Sequence, residues 1–92
     1  MEDNEYSTPT ERRLAEIWAD VLRLDKVKRD QDFFEIGGDS LLATTVVVKA
    51  CQAWEVKFTV RVLLGAPVLA DLAGRIDRLV AESGRQPARE SA

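Results

Sequence analysis

Apolar residues recur at helical spacing in three segments of this 92-residue chain. The first segment opens with Thr8-Pro9-Thr10-Glu11, where Thr8 and Glu11 form a capping-box pattern and Pro9 takes the first helical position. Apolar residues at intervals of three and four then share one face: Leu14, Ile17, Trp18, Val21 and Leu22. This pattern predicts an amphipathic helix from about Pro9 to Arg23.

A second helix is predicted to begin at Asp39-Ser40, both favoured at a helix N-cap, and to end near Trp54. Its inward face comprises Leu42, Ala43, Val46, Val47, Ala50, Ala53 and Trp54. Its outward face comprises Ser40, Leu41, Thr44, Thr45, Val48 and Gln52. The three consecutive valines at 46–48 are typical of strands, so a strand is the competing interpretation. The capping signal and the length of the uninterrupted stretch favour a helix.

The rest of the chain completes a helical architecture. Residues 60–64 are predicted to form a short helix ended by Gly65, and Pro67 is predicted to open a last helix. The inward residues of that helix are Leu69, Leu72, Ala73, Ile76, Leu79 and Val80. We therefore predict an all-α bundle of three main helices and one short helix, spanning residues 8–82. Residues 1–7 are predicted to be a flexible tail and residues 83–92 a disordered tail.

Composition and charge narrow the classes of function. The chain is 46% hydrophobic and 32% charged, as expected for one soluble domain. Its net charge of −3 argues against nucleic-acid binding, and its apolar runs are far shorter than the roughly 20 residues of a membrane span. With no export leader, we expect a cytoplasmic location. The chain has no histidine, which excludes histidine-dependent nucleophilic catalysis. It has a single cysteine, which excludes an internal disulfide. Together, these two facts exclude a zinc site built from histidine and cysteine.

The strongest candidate for chemistry is Ser40, at the centre of residues 32–42. Gly37 and Gly38 leave a loop with little side-chain bulk, so another macromolecule can approach it closely. A serine at the amino end of a helix lies where free amides and the helix dipole stabilise an attached phosphate. The chain has no base to activate this hydroxyl. We therefore predict that a second protein modifies Ser40 to a phosphoester. Phe33 and Phe34, just before this loop, are predicted to lie against the core.

The run FFEIGGDSLL at 33–42 resembles the attachment motif of peptidyl carrier proteins, the thiolation domains of nonribosomal peptide synthesis. IWADVL at 17–22 is similar to the first helix of that family, and LLGAPVLADLA at 63–73 to the approach to its last helix. The resemblance implies an acyl-carrier-protein-like fold. It also implies a 4′-phosphopantetheine arm, derived from coenzyme A and joined to Ser40, with Gly38 and Asp39 as flanking motif residues.

The resemblance further implies a set of partner enzymes. A phosphopantetheinyl transferase would attach the arm, and an adenylating enzyme would load an aminoacyl group on its thiol. Condensation, tailoring or thioesterase enzymes would then receive the aminoacyl or peptidyl thioester. The carrier would contribute no catalytic residue and would be a monomer, since transient transfer requires an open surface. The initial Met and the polar end favour a free-standing carrier, with an excised synthetase module as the alternative.

An outward apolar stripe beside Ser40 predicts a partner surface, since bulky exposed apolar groups often mark such surfaces. We expect Leu41, Thr44, Thr45 and Val48 to contact the transferase and the later enzymes, with Val62 extending the same surface. The alternative is a surface without a partner.

Two positions depart from the family pattern. Glu55 stands where a glycine often follows the second helix, and Val68 stands where a threonine often caps the last one. Ala66 or Asp71 would compensate for Val68 in part. Neither position belongs to the attachment motif.

Two rival functions stay open. An acyl carrier protein of fatty acid or polyketide synthesis would share Ser40 and the arm, but such carriers tend to have an acidic second helix, and no acid lies between Leu41 and Trp54. The rival of another class is an unmodified helical module that binds a partner through Leu41 and Val48. An aryl acid or a β-amino acid is as compatible with the sequence as an α-amino acid cargo.

Overall fold

Four helices in chain order form the described part of the protein. The computed structural model describes residues 5–91, with side chains described as far as Ser83. The helices are α1 (Pro9–Leu22), α2 (Ser40–Trp54), α3 (Val60–Gly65) and α4 (Leu69–Ser91). The predicted all-α bundle is confirmed, and the valines at 46–48 are helical. In this described stretch, β pairing is confined to one bridge between Asp32 and Val68.

The core is formed by one face of each helix together with the α1–α2 loop. α1 packs against both α2 and α4, and α3 packs against α2. The largest fully buried side chains are Trp18, Phe33, Leu14, Leu63, Leu69, Leu72, Ile76, Val27 and Val46. On α2 the buried residues are Ala43, Val46, Val47 and Ala50. The inward face predicted for α2 is therefore the face that the fold buries, which leaves its opposite side to solvent.

Side chains cap the amino ends of α1 and α2 as the sequence predicted. Thr8 Oγ1 accepts a hydrogen bond from the amide of Glu11 at 3.1 Å, and Asp39 Oδ1 accepts one from the amide of Leu42 at 2.8 Å. Each bond satisfies one of the amides that a helix leaves unpaired in its first turn. The Glu11 carboxylate, for its part, accepts from the amide of Ser7 at 2.7 Å.

The amino end of α4 differs from the prediction. Pro67 was expected to open this helix, but the helix begins at Leu69. Pro67 and Val68 are held by the α1–α2 loop instead: the carbonyl of Pro67 accepts from the amide of Phe33 at 2.8 Å, and Val68 pairs with Asp32. These contacts keep the two residues out of the helix.

Loop carbonyls supply the cap that the side chain of Val68 lacks. The amide of Leu69 donates to the carbonyl of Gln31 at 3.1 Å, and the amide of Ala70 donates to the carbonyl of Arg29 at 3.0 Å. Two unpaired amides of the first turn are thus satisfied by main chain from a distant part of the sequence. The amino end of α4 is therefore capped, although Val68 has no side-chain oxygen to cap it.

The two chain ends also differ from the sequence prediction. α4 continues past Glu82 to Ser91, so the helix does not end where the tail was predicted to start. Residues 5–7 are held against the bundle, because Tyr6 packs on the core and its hydroxyl donates to the carbonyl of Val27 at 2.6 Å. The remainder of the predicted flexible tail, residues 1–4, lies outside the described residues. The domain boundaries themselves stay predictions.

Nowhere in the described residues does a helix combine the length and apolar character that crossing a membrane requires.

Both α1 and α2 end on a non-glycine residue in the left-handed conformation. Arg23 has φ 60° and Glu55 has φ 56°. A side chain in this region brings Cβ close to the following carbonyl oxygen, at a cost of roughly 1–2 kcal/mol that glycine avoids. Glu55, where the family often has glycine, therefore makes the end of α2 less stable than a glycine would.

We expect Glu55→Gly to raise the free energy of unfolding by up to about 1 kcal/mol, because it removes this Cβ strain. Urea denaturation monitored by circular dichroism measures the change. The matched control is Glu82→Gly, the same substitution at an exposed helical position of α4, which should lower stability by about 1 kcal/mol. Equal effects at the two positions would contradict the strain assigned to Glu55.

Candidate functional site

Ser40 is the first residue of α2, and its side chain is exposed. The preceding residue, Asp39, caps the helix through the amide of Leu42, so Ser40 is not needed as the cap. One turn later, the hydroxyl of Thr44 donates to the carbonyl of Ser40 at 3.0 Å. The structure thus presents the serine hydroxyl to solvent at the positive end of a helix dipole.

A turn built on Asp32 leads into this helix. The carboxylate of Asp32 accepts from the amides of Phe34 and Glu35 at 2.8 Å and 3.2 Å. Its carbonyl accepts from the amide of Ile36 at 3.2 Å, which closes a single helical turn. An aspartate that bonds its own backbone two residues on is a familiar turn-forming device. This signal is local, so the turn can be recognised in the sequence alone.

Phe33 and Phe34 have opposite environments, although both were predicted to lie on the core. Phe33 is fully buried, whereas Phe34 is 36% exposed. Phe33 stacks edge-on against Trp18, with ring centroids 5.0 Å apart, and against Phe34 at 5.3 Å. The prediction was therefore correct for Phe33 and wrong for Phe34, which lies at the surface of the turn before Ser40.

The two glycines before Ser40 have different physical roles. Gly37 has φ 114°, a backbone conformation that side chains rarely adopt. Gly38 lies directly against Phe33: its amide donates to the carbonyl of Phe33 at 2.9 Å, and an added Cβ would lie 2.7 Å from that carbonyl oxygen and would overlap the ring. Gly38 is thus required by close packing, and this contact joins the core to the start of α2.

We expect Gly38→Ala to destabilise the protein by about 1–3 kcal/mol, because the backbone oxygen of Phe33 cannot move away cheaply. Gly65→Ala is the matched control, since a Cβ there meets no atom within 4 Å, and its effect should stay within about 0.5 kcal/mol. Guanidinium denaturation of both variants tests the difference. A Gly38→Ala protein as stable as the Gly65→Ala control would rule out the steric argument.

The grooves of the protein and its acidic side chains are not gathered around Ser40 in the described part of the chain. A groove of about 630 Å³ is lined in part by Tyr6, Arg13 and Trp54. Trp54 is 14 residues from Ser40 along α2, or about 20 Å. In the described part of the chain, no three His, Cys, Asp or Glu side chains are grouped so as to hold a metal ion. The geometry at Ser40 instead suits a side chain that is presented to another protein.

The outward face of α2 carries the apolar stripe that the sequence indicated. Leu41 is 76% exposed and Val48 is 50% exposed, and Thr44 and Thr45 are exposed between them. Val62 was expected to extend this surface, but its side chain is half-buried and packs against the core. The exposed apolar residue of α3 is Leu64 at 49%. Leu64 was not predicted as exposed, because a helix of six residues is too short for apolar spacing to indicate which side faces solvent.

Comparison with known proteins gives consistent matches over most of the chain. The family model described as phosphopantetheine attachment site matches residues 12–76. Tyrocidine synthase 3 of Brevibacillus parabrevis is 44% identical over 76 residues, which is 79% of this chain and 1% of that synthase. The chain therefore corresponds to a very small part of this much longer relative.

Solved structures agree with the sequence matches. A structure described as a nonribosomal PCP domain is 43% identical, with a TM-score of 0.70 over 76% of this chain and 90% of that one. The complex of the phosphopantetheine transferase Sfp with coenzyme A and a peptidyl carrier protein contains a chain that is 30% identical. Its TM-score is 0.76 over 79% of this chain and 95% of that one.

Proposed function

This chain belongs to the phosphopantetheine attachment family, and on that premise we propose that it is a carrier domain of nonribosomal peptide synthesis. Members of this family carry 4′-phosphopantetheine covalently. The proposed role is to hold an aminoacyl or peptidyl group and to transfer it between enzymes. The observation that carries the proposal is the exposed hydroxyl of Ser40 at the amino end of α2, two residues after Gly38.

The residues around Ser40 fit a phosphate-linked arm. The exposed oxygen is open to an incoming enzyme, and the positive end of the α2 dipole favours the negative charge of a phosphodiester. Gly38 and Asp39 shape the turn and the cap that hold Ser40 in this position. When bound, the arm supplies a thiol that holds the cargo as a thioester. The chain contains no histidine, and the neighbouring carboxylate of Asp39 is engaged as the helix cap, so we assign the base that deprotonates Ser40 to the transferase.

The exposed stripe on α2 is the proposed contact surface for the transferase, the adenylating enzyme and the condensation, tailoring or thioesterase enzymes. Its residues are Leu41, Thr44, Thr45 and Val48. Val62 is not included, because its side chain packs against the core. Leu64 adds exposed apolar area on α3.

No acidic residue lies between Leu41 and Trp54, which favours a peptidyl carrier over an acyl carrier with an acidic second helix. We further propose that the chain acts as a monomer, in the cytoplasm, and as a substrate of these enzymes with no catalytic group of its own.

Val48→Asp should slow the transferase reaction at least several-fold, because a charge would then have to be desolvated in the contact surface. The fold should persist, since half of the Val48 side chain is already exposed. Ala81→Asp places the same charge on an exposed position of α4 and serves as the control. Unchanged rates for Val48→Asp with every partner would refute this surface.

Intact-mass measurement tests the proposed function directly. The protein is incubated with coenzyme A, Mg²⁺ and a transferase of broad specificity, and should gain the mass of one phosphopantetheine. The modified protein is then offered adenylating enzymes with amino acids. No first mass gain would favour the unmodified interaction module, and loading by fatty or polyketide acyl groups alone would favour the acyl carrier.

A further inference from the structure

Residues 5–7, which precede the N-cap Thr8 of α1, are bonded to the α1–α2 loop and to α1. We call Glu5, Tyr6 and Ser7 the strap. The hydroxyl of Tyr6 donates to the carbonyl of Val27 at 2.6 Å, and Glu5 forms an ion pair with Lys26. Tyr6 is half-buried against the core, and this burial raises the pKa of its hydroxyl, so the hydroxyl remains a donor. The ion pair is exposed and adds little, so Tyr6 is the principal anchor of the strap.

A buried carboxylate joins the end of the strap to the same loop. Glu11 is only 4% exposed and accepts the amide of Ser7 at 2.7 Å. Its two oxygens also accept from Nε and Nη2 of Arg29 at 2.9 Å and 3.0 Å. The hydrogen bonds from Arg29 hold the pKa of Glu11 below its usual range, so the pair remains charged. Because the carbonyl of Arg29 also accepts from the amide of Ala70, the strap, the loop and α4 meet at this residue.

The same loop continues to Ser40 through a series of backbone hydrogen bonds. The amide of Phe33 donates to the carbonyl of Pro67 at 2.8 Å, and the amide of Gly38 donates to the carbonyl of Phe33 at 2.9 Å. Gly38 is followed by Asp39, the N-cap of α2, and then by Ser40. Hydrogen bonds thus hold the loop at several points between Val27 and Gly38, and Phe33 is packed in the core between them.

We propose that the strap positions Ser40, and that Tyr6 is the positioning residue that anchors it. The role assigned to Ser40 rests on the proposed function, whereas the mechanical coupling does not. The strap holds Lys26 and Val27 on the bundle, and the same loop carries the Phe33–Gly38 contact that sets the start of α2. A partner that lifts the strap would therefore loosen the turn at Ser40. A local response at this turn when the strap is loosened would demonstrate the coupling.

Amide hydrogen exchange in the full chain supplies that demonstration. Tyr6→Phe keeps the ring and removes only the hydroxyl bond to Val27. We expect exchange at the amides of Phe33 and Gly38 to become about fivefold faster, while the amides of Val47 and Ala50 in α2 change by less than about twofold. We also expect the amide chemical shift of Ser40 to move. The control is Thr10→Val, which removes a hydrogen bond from α1 to Asp77 of α4 and leaves the strap intact.

The exchange pattern separates positioning from general stability. Equal acceleration at Phe33, Gly38, Val47 and Ala50 would mean that the hydroxyl of Tyr6 supports only global stability, and would overturn the proposal. Unchanged exchange at Phe33 and Gly38, or the same local change in the Thr10→Val control, would overturn it as well. If the wild-type protein gains no phosphopantetheine, the proposed function fails, while the exchange pattern still decides the role of the strap.

Discussion

Replacing Ser40 by alanine should abolish the phosphopantetheine mass gain completely while leaving the fold intact. The substitution removes the hydroxyl presented at the amino end of α2, and Asp39, not Ser40, caps the helix. Because Ser40 is exposed, the free energy of unfolding should change by no more than about 0.5 kcal/mol. Intact mass after transferase treatment and urea denaturation of the same preparation measure the two quantities.

Thr59→Ala is the matched control for this experiment. Thr59 is also an exposed hydroxyl residue at the start of a helix, and its side chain makes no capping hydrogen bond. This variant should gain one phosphopantetheine as the wild-type protein does. A mass gain retained by Ser40→Ala, or lost in Thr59→Ala, would show that the arm is attached elsewhere.

Phe33→Ala should destabilise the protein by about 3–5 kcal/mol, which is a large part of the roughly 5–15 kcal/mol typical of a small domain. The ring is fully buried, stacks on Trp18 and lies against Gly38, so its loss creates a cavity beneath the turn that leads to Ser40. The expected result is a clear fall in the midpoint of thermal and urea unfolding. Modification of Ser40 should slow as well, because the turn loses the packing that holds it.

The adjacent phenylalanine provides the comparison. Phe34 is the same residue type one position later, but it is 36% exposed, so Phe34→Ala should cost less than about 1 kcal/mol. A similar loss of stability in the two variants would contradict the burial assigned to Phe33. The pair therefore tests which of the two rings supports the attachment turn.

Local patterns were sufficient to predict most of the helices and the candidate site. The caps at Thr8 and Asp39 and the spacing of apolar residues act within one or two helical turns, so they can be recognised in an isolated sequence. The motif around Ser40 is also continuous in sequence. The outward stripe at Leu41 and Val48 follows from helical periodicity once α2 is accepted as a helix.

Contacts between residues far apart in the sequence could not be predicted from such local patterns. The sequence contains Glu11 as part of a capping pattern, but its partner Arg29 is 18 residues away. The start of α4 was misplaced because main chain from the loop, at Arg29 and Gln31, supplies its cap. Neither contact has a periodic signature, since each joins segments that are brought together only by the fold.

By itself, the sequence determined the helical class of this protein, the starts of its first two helices and the serine at which its chemistry is proposed. Those features depend on residues that interact within a few positions of one another. Only the tertiary structure decided which phenylalanine is buried, that Leu64 rather than Val62 is exposed, and that the strap reaches the loop before Ser40. Burial and long-range hydrogen bonds are properties of packed elements, so they exist only when all four helices are in place.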